Sequence, residues 1–252
     1  MPLKRMKFIN TYIDNITKQE AMNHIDECIT NKRIGHVITP NVDQIIRIER
    51  DEKFKNICNS AELLLADGRP LLWIAKWYRR PIKEQICGSD LVPELCGLAA
   101  KKGYSVFFLG AAPGVADKAV EMLKKRYPEL HVAGVYSPPL GFEKKTNELK
   151  EINRRLKDSH ADMLFVGMGV PKQDIFIYEN MNKYKIPMSF SIGATIDFIA
   201  GKQKRCPKWM TRIGLEWFYR LMSDPKRMTK RYLVDDMQIF KLAWKYRKDG
   251  GE

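Results

Sequence analysis

The chain is poor in the residues that staple or metallate small folds. Its 252 residues hold five cysteines: Cys28, Cys58, Cys87, Cys96 and Cys206. The count is odd, no CxxC pair occurs, and the nearest two lie nine positions apart. That excludes a disulfide framework and a cysteine-rich zinc module, and it fits a reducing compartment. Histidine is scarce as well: His24, His36, His131 and His160 are scattered, and no DxD sequence is present. A dedicated metal site is therefore not expected. His36, inside an apolar run, reads as a packed core residue. No stretch reaches the ~18 apolar residues of a membrane span, so any membrane contact is expected to be peripheral. The opening MPLKRMKFINTYIDNITKQE has no long apolar run either, which speaks against a leader peptide.

Three glycine signatures are also missing. Without GxGxxG the dinucleotide fingerprint is absent, without GK[ST] the P-loop, and without Gly-x-Ser-x-Gly the serine-hydrolase elbow. What remains is a chain with 44% hydrophobic residues, enough for a sizeable core, and a net charge of +14. The excess charge is uneven. From Gly201 to Glu252, fourteen Lys/Arg stand against six Asp/Glu. Such a tail suits nucleic acid, anionic lipid or an acidic ligand.

The body of the chain alternates strand-like and helix-like segments. Apolar runs cover His36–Thr39, Glu62–Ala66, Ser105–Gly110, His131–Tyr136, Met163–Gly169 and Met188–Gly193. Helical patterns cover Asp90–Lys102, Gly114–Tyr127, Thr146–Asp158 and Lys172–Lys185, the first closed by Gly103. Fully apolar strands separated by helices predict an α/β fold with a mostly parallel, Rossmann-like sheet covered on both faces. Residues 1–200 form the predicted catalytic core. Residues 201–252 form a basic helical appendage. Its first helix is expected over about Lys208–Met222, with Met210, Ile213, Trp217 and Leu221 on one face. Asp224-Pro225 starts a second, with Leu233, Met237, Phe240 and Trp244 as its apolar stripe. Lys226, Arg227, Lys230 and Arg231 crowd the start of that helix, where the macrodipole disfavours cations, and an anionic ligand would explain them.

In a parallel sheet, ligands bind at the carboxyl ends of strands, and the core's motifs fall there. Thr39-Pro40-Asn41 reads first as a helix cap and second as a hydroxyl and amide offered to a sugar. Ala66-Asp67-Gly68 reads as a common Asp-Gly turn, or as a carboxylate placed to act as general base. Gly110-Ala111-Ala112-Pro113-Gly114 is a tight strand–helix turn whose N–H groups could hold a phosphate. Gly167-Met168-Gly169 followed by Pro171, Lys172 and Gln173 is a compact donor array for an anion. Gly193 repeats the turn, and Asp197 could accept from a ribose or complement its helix dipole.

Seven segments in order are similar to the WecG/TagA/CpsF family of bacterial glycosyltransferases. They are TPN at Thr39–Asn41, ADG at Ala66–Gly68, CGSDL at Cys87–Leu91, FFLGAAPGVA at Phe107–Ala116, FVGMGVPKQD at Phe165–Asp174, IGATIDFIAGKQKRCP from Ile192, and GLEWFYRL at Gly214–Leu221. The resemblance runs from roughly Phe8 to Leu233. It implies transfer of an N-acetylmannosamine, its uronic acid or a related hexose from a UDP-sugar to a polyprenyl-diphosphate-linked sugar. It further implies an inverting reaction with no metal or cofactor, at the cytoplasmic face of the plasma membrane, for teichoic acid or exopolysaccharide synthesis. By position, Asp67 matches the family's base and Thr39 the residue that orients the acceptor hydroxyl. Asn41 and Gln173 match polar site positions, and Arg220 and Arg227 match tail arginines directed at diphosphate. This chain departs from the family pattern at Asp174 (usually Glu), Ile196 (usually Phe), Cys206 in the RAP motif, and Lys230 (often Arg).

The expected nucleotide contacts are Gly110, Gly167, Gly169, Lys172, Gly193 and Asp197. The expected partners are the donor, the lipid-linked acceptor and an anionic bilayer met by the tail, with Trp209, Trp217 and Trp244 as anchors. Homo-oligomerisation through the tail enters the expectation too. Two rivals stay open. The basic tail could bind nucleic acid, although no helix-turn-helix or RRM signature accompanies it. The sheet could serve a nicotinamide-dependent oxidoreductase, which the missing GxGxxG disfavours.

Overall fold

Apolar segments of four to six residues become strands because a parallel sheet buries both of its faces. The computed structural model describes residues 5–203, 206–207, 210, 216–223, 225, 229 and 236–247, with the backbone alone at Glu216, Trp217, Arg220 and Ser223. The chain opens with an antiparallel hairpin, β1 (Arg5–Phe8) and β2 (Thr11–Asp14). Helix α1 (Lys18–Thr30) follows, started by a capping box in which Thr17 and Glu20 satisfy each other's backbone N–H groups.

The core then runs β3 (Gly35–Ile38), α2 (Val42–Arg50), α3 (Glu52–Asn59), β4 (Leu63–Leu64), α4 (Arg69–Trp77) and α5 (Gly88–Lys102). It continues through β5 (Ser105–Gly110), α6 (Val115–Arg126), β6 (His131–Tyr136), α7 (Thr146–Asp158), β7 (Met163–Gly167), α8 (Lys172–Tyr184), β8 (Met188–Ser191) and α9 (Thr195–Ile199). The six strands β3 to β8 form one sheet in the order β4-β3-β8-β7-β5-β6, each pair parallel. The α/β, Rossmann-like expectation holds. So do the bounds of β5, β6 and α7. Strands β3, β4, β7 and β8 stop sooner than the apolar runs, because their last residues turn into the loops of the site.

Register divides the side chains between two faces. Val37, Phe190, Phe165 and Phe108 are matched across β3, β8, β7 and β5. The Phe108–Phe165 and Phe165–Phe190 ring centroids lie 5.2 and 5.1 Å apart, a ladder that packs with α1, α5, α6 and α9. The opposite face is apolar at both ends but polar in the middle. There His36, Ser189 and Ser191 are buried beside Asp174 and Tyr184 of α8. His36 Nε2 pairs with Ser191 Oγ at 2.8 Å, and Tyr184 Oη with Ser189 Oγ at 2.9 Å. This seam separates the cluster under α2, α3 and α4 from the one under α7 and α8.

Nearly half of the tail segment, including Arg227, Asp224 and Trp209, lies outside the described residues. A helix spans Glu216–Ser223, overlapping the end of the region expected to be helical and running one residue past it. A second spans Gln238–Tyr246 and packs on the core beside α2. Its stripe differs from the expectation. Ile239 and Ala243 are the buried positions, whereas Met237, Phe240 and Trp244 are exposed. The helix is anchored by small and β-branched residues that let it approach closely, and its large apolar side chains face out.

Candidate active site

The carboxyl ends of β3, β4, β8, β7 and β5 adjoin along one edge of the sheet, and five loops meet there. At β3, Thr39 and Pro40 lead into α2. Asn41 caps that helix, its Oδ1 accepting from the N–H groups of Asp43 and Gln44 at 3.0 and 3.4 Å. Gln44 returns the bond to the Asn41 N–H at 3.2 Å, completing a capping box. The cap reading of this motif is therefore realised. It also fixes the Asn41 side chain at the site's rim.

Beside it, the Asp67 N–H donates to the Pro40 carbonyl at 2.9 Å. This bond extends the β3–β4 pairing past the end of the strands and ties the half-buried Asp67 to the Thr39–Asn41 turn. Gly68, at φ 111°, turns the chain into α4. The Ala66 carbonyl accepts from the Ile86 N–H at 2.9 Å, which draws in the segment before α5. A methyl group at Gly88 would lie 3.5 Å from Thr39 Oγ1 and 3.7 Å from Thr195 Oγ1. The two hydroxyls therefore flank the first turn of α5. Sequence reasoning did not single out this helix N-terminus or Thr195. The CGSDL segment was the available signal.

The glycine loops brace each other. Gln173 is buried and its Oε1 accepts the Gly193 N–H at 3.0 Å, so it ties the β7 loop to the β8 loop. The Ala111 N–H donates to the Gly167 carbonyl at 3.0 Å. At Gly110, φ is 110° and a Cβ would stand 2.3 Å from that same carbonyl oxygen, so no side chain fits. A Cβ at Gly167 would meet the Gly193 carbonyl at 2.9 Å. Gly110 and Gly167 are thus explained first by backbone contact. Gly169 and Gly193 have open space beside them and positive φ.

Two of the expected nucleotide contacts are engaged within the protein. Lys172 is paired with Glu143 at 2.7 Å, and Asp197 lies 3.6 Å from the Lys202 ammonium. The backbone of Arg220 lies in the helix Glu216–Ser223. Arg227 is outside the described residues, as are the side chains of Arg220 and Trp217.

Beneath the loops sits the polar seam. Burial pushes the Asp174 carboxyl up to about 7, with the Ser191 hydroxyl and the Arg47 charge offsetting part of the effect. Neither Asp174 oxygen has a partner at hydrogen-bond distance. Burial also lowers the His36 imidazole to about 3, so it is neutral at physiological pH and packed, as its sequence context suggests.

Away from this edge, His24, Cys28 and Glu62 bring ligand-type atoms within 4.8 Å of one another. The scattered histidines of the sequence gave no sign of this. Glu62 Oε1 there already serves His24 at 2.6 Å and Arg33 at 3.0 Å.

Comparison with known proteins bears on this site. A sequence profile of the glycosyl transferase WecG/TagA/CpsF family matches residues 6–251. An N-acetylglucosaminyldiphosphoundecaprenol N-acetyl-beta-D-mannosaminyltransferase of Bacillus subtilis is 31% identical over 89% of this chain and 84% of its own length. The protein of that name from Bacillus spizizenii is 28% identical over 90% of this chain and 84% of its own. A third, from Staphylococcus aureus, is 25% identical over 97% and 94%.

Proposed function

Because the chain belongs to the glycosyl transferase WecG/TagA/CpsF family, we propose that it moves N-acetylmannosamine, its uronic acid or a related hexose from a UDP-sugar to a polyprenyl-diphosphate-linked sugar. The acceptor class comes from the names of its relatives. The observation that supports the reading is the Asp67–Pro40 backbone bond, which joins the turn after β4 to the turn after β3 that holds Thr39.

In this reading the Asp67 carboxylate takes the proton of the acceptor hydroxyl, and Thr39 orients that hydroxyl. The freed oxygen attacks the anomeric carbon from the face opposite the diphosphate. The bond from that carbon to the diphosphate oxygen breaks, UDP leaves, and the anomeric configuration inverts. Charge builds on the departing diphosphate, and fixed donors lower the barrier most when they wait in place. The first turns of α5 and α8, with Arg220 and Arg227 of the tail, are suited to that role. The reaction is proposed to need no metal. Gly169 and Gly193 leave room for the nucleotide above the sheet edge, while Gln173 holds their loops in register. The protein would work as a peripheral enzyme on the inner face of the plasma membrane.

The test is direct. UDP release is measured with a panel of UDP-sugars, a lipid-diphosphate-GlcNAc analogue as acceptor, and a chelator present. Turnover with one donor of the N-acetylmannosamine class is expected. Asp67→Asn should keep the thermal midpoint and lose at least about a hundredfold in kcat. A variant that retains near-wild-type turnover removes Asp67 from the mechanism.

A further inference from the structure

Four large aromatic residues line up on the surface where α4 meets the helix Gln238–Tyr246. Trp73 and Trp77 are one turn apart on α4 and are 54% and 51% exposed. Phe240 and Trp244 are one turn apart on the other helix and are 52% and 61% exposed. The two pairs are continuous, because the Trp77 and Trp244 rings stack with centroids 6.1 Å apart and planes 17° apart. The strip is rigidly seated. The Tyr78 hydroxyl donates to the Ala243 carbonyl at 2.6 Å, and Ile74, Ala75, Ile239 and Ala243 are buried in one cluster beneath it. Exposed apolar area of this kind on a soluble protein marks an interaction site.

Its surroundings identify the partner. Lys76, Arg79, Lys241, Lys245 and Arg247 are all exposed around the strip, and neither helix contains an acidic residue. The Arg247 guanidinium lies 3.6 Å from the centroid of the Trp244 ring. Indoles flanked by cations suit the boundary between anionic headgroups and acyl chains, where the ring is half wet and the charge meets phosphate. Glu49 beside the strip is taken up by Lys245 at 2.6 Å, and the face that remains presents aromatic rings and cations.

We propose that this strip seats the protein on an anionic bilayer, and that half of the seat, Trp73 and Trp77, belongs to the catalytic core and not to the tail. The proposal rests on the glycosyltransferase reading and adds a geometric consequence to it. Helix α4 begins two residues after Asp67, at the carboxyl end of β4. Helix α4 therefore joins the seat to the Asp67 turn, with Trp73 one turn in from the helix start and Trp77 at its far end.

The experiment uses the full chain and its Trp73→Ala/Trp77→Ala variant. Flotation with phosphatidylcholine vesicles, with and without phosphatidylglycerol, measures partition. The expected result is binding of the wild type to the anionic vesicles and partition at least about tenfold weaker for the variant, at an unchanged thermal midpoint. A Lys76→Glu/Arg79→Glu variant, which leaves the indoles in place, should lose binding to anionic vesicles as well. Unchanged partition of both variants overturns the proposal. So does a change of oligomeric state with partition intact, which would make the strip a contact between copies. UDP release with a short-chain, water-soluble acceptor analogue separates the two readings. The tryptophan variant should match the wild type there. A wild type inactive on every acceptor refutes the glycosyltransferase reading and leaves the vesicle result standing.

Discussion

Asp174 lies in the core between α8 and the sheet with both carboxylate oxygens lacking a hydrogen bond. Its folded pKa, about 7, is above the value of an exposed aspartate, so the fold favours the neutral acid. The stability this group allows is complete below about pH 4, is lost as pH rises through about 7, and stays lost above. Asp174→Asn keeps the shape and cannot ionise. It should raise the urea midpoint at pH 8 by the equivalent of about 2–4 kcal/mol and change little at pH 4. An equal effect at both pH values would show that the carboxylate is not the strained form. Asp67, by contrast, stands half-buried at the carboxyl edge of the sheet.

At the scale of elements, helix starts and strand ends share residues, and that is where sequence reading divides into alternatives. Asn41 is both a cap and a candidate ligand for substrate. Asn41→Ala removes the acceptor for two helix N–H groups and should cost about 1 kcal/mol in chemical denaturation. Asn41→Asp restores the cap but not the amide donor. If stability returns and turnover does not, the amide serves the substrate. If both return, the residue is a cap only. The apolar run of β5 gave its bounds because a fully buried parallel strand carries no competing signal, and that of β6 did so although it is a half-exposed edge strand. The hairpin β1–β2 and helices α3 and α4 were not expected, and β4 keeps only two residues of its apolar run. Each is short, and their interiors mix Arg, Lys and Asn with the buried residues, so periodicity is weak there. Gly110 was legible as a turn, but the reason for it was not. The close approach of the Gly167 carbonyl is a contact between strands that lie far apart in sequence.

At the scale of the molecule, the tail and the core are joined through the helix Gln238–Tyr246. Lys245 pairs with Glu49 of α2 at 2.6 Å, Tyr246 Oη donates to Glu49 Oε2 at 3.0 Å, and Arg50 reaches Gln238. Removing residues 237–252 uncovers the cluster that Ile239 and Ala243 complete. The loss should be about 2–4 kcal/mol, read as a thermal midpoint at least about 4 °C lower. A truncated chain with the full midpoint would make the tail a separate unit. For the same reason, loss of vesicle binding on deleting the whole tail cannot be credited to lipid contact alone. The point variants in Trp73 and Trp77 answer that question more cleanly.

The sequence by itself determined the layered α/β class, the basic asymmetry of the chain, the family, and a set of loop motifs at strand ends. These follow from local chemistry: apolar runs, glycine turns and charge counts are written in consecutive residues. Only the tertiary structure decided which motifs meet. Strand order tied Asp67 to Pro40, put Thr195 and the start of α5 next to Thr39, and occupied Gln173 with Gly193. It also turned Phe240 and Trp244 outward to join Trp73 and Trp77, against the stripe read from spacing. Contacts of this kind depend on sheet order and helix rotation, which are set by burial summed over the whole core and have no signature in any one segment.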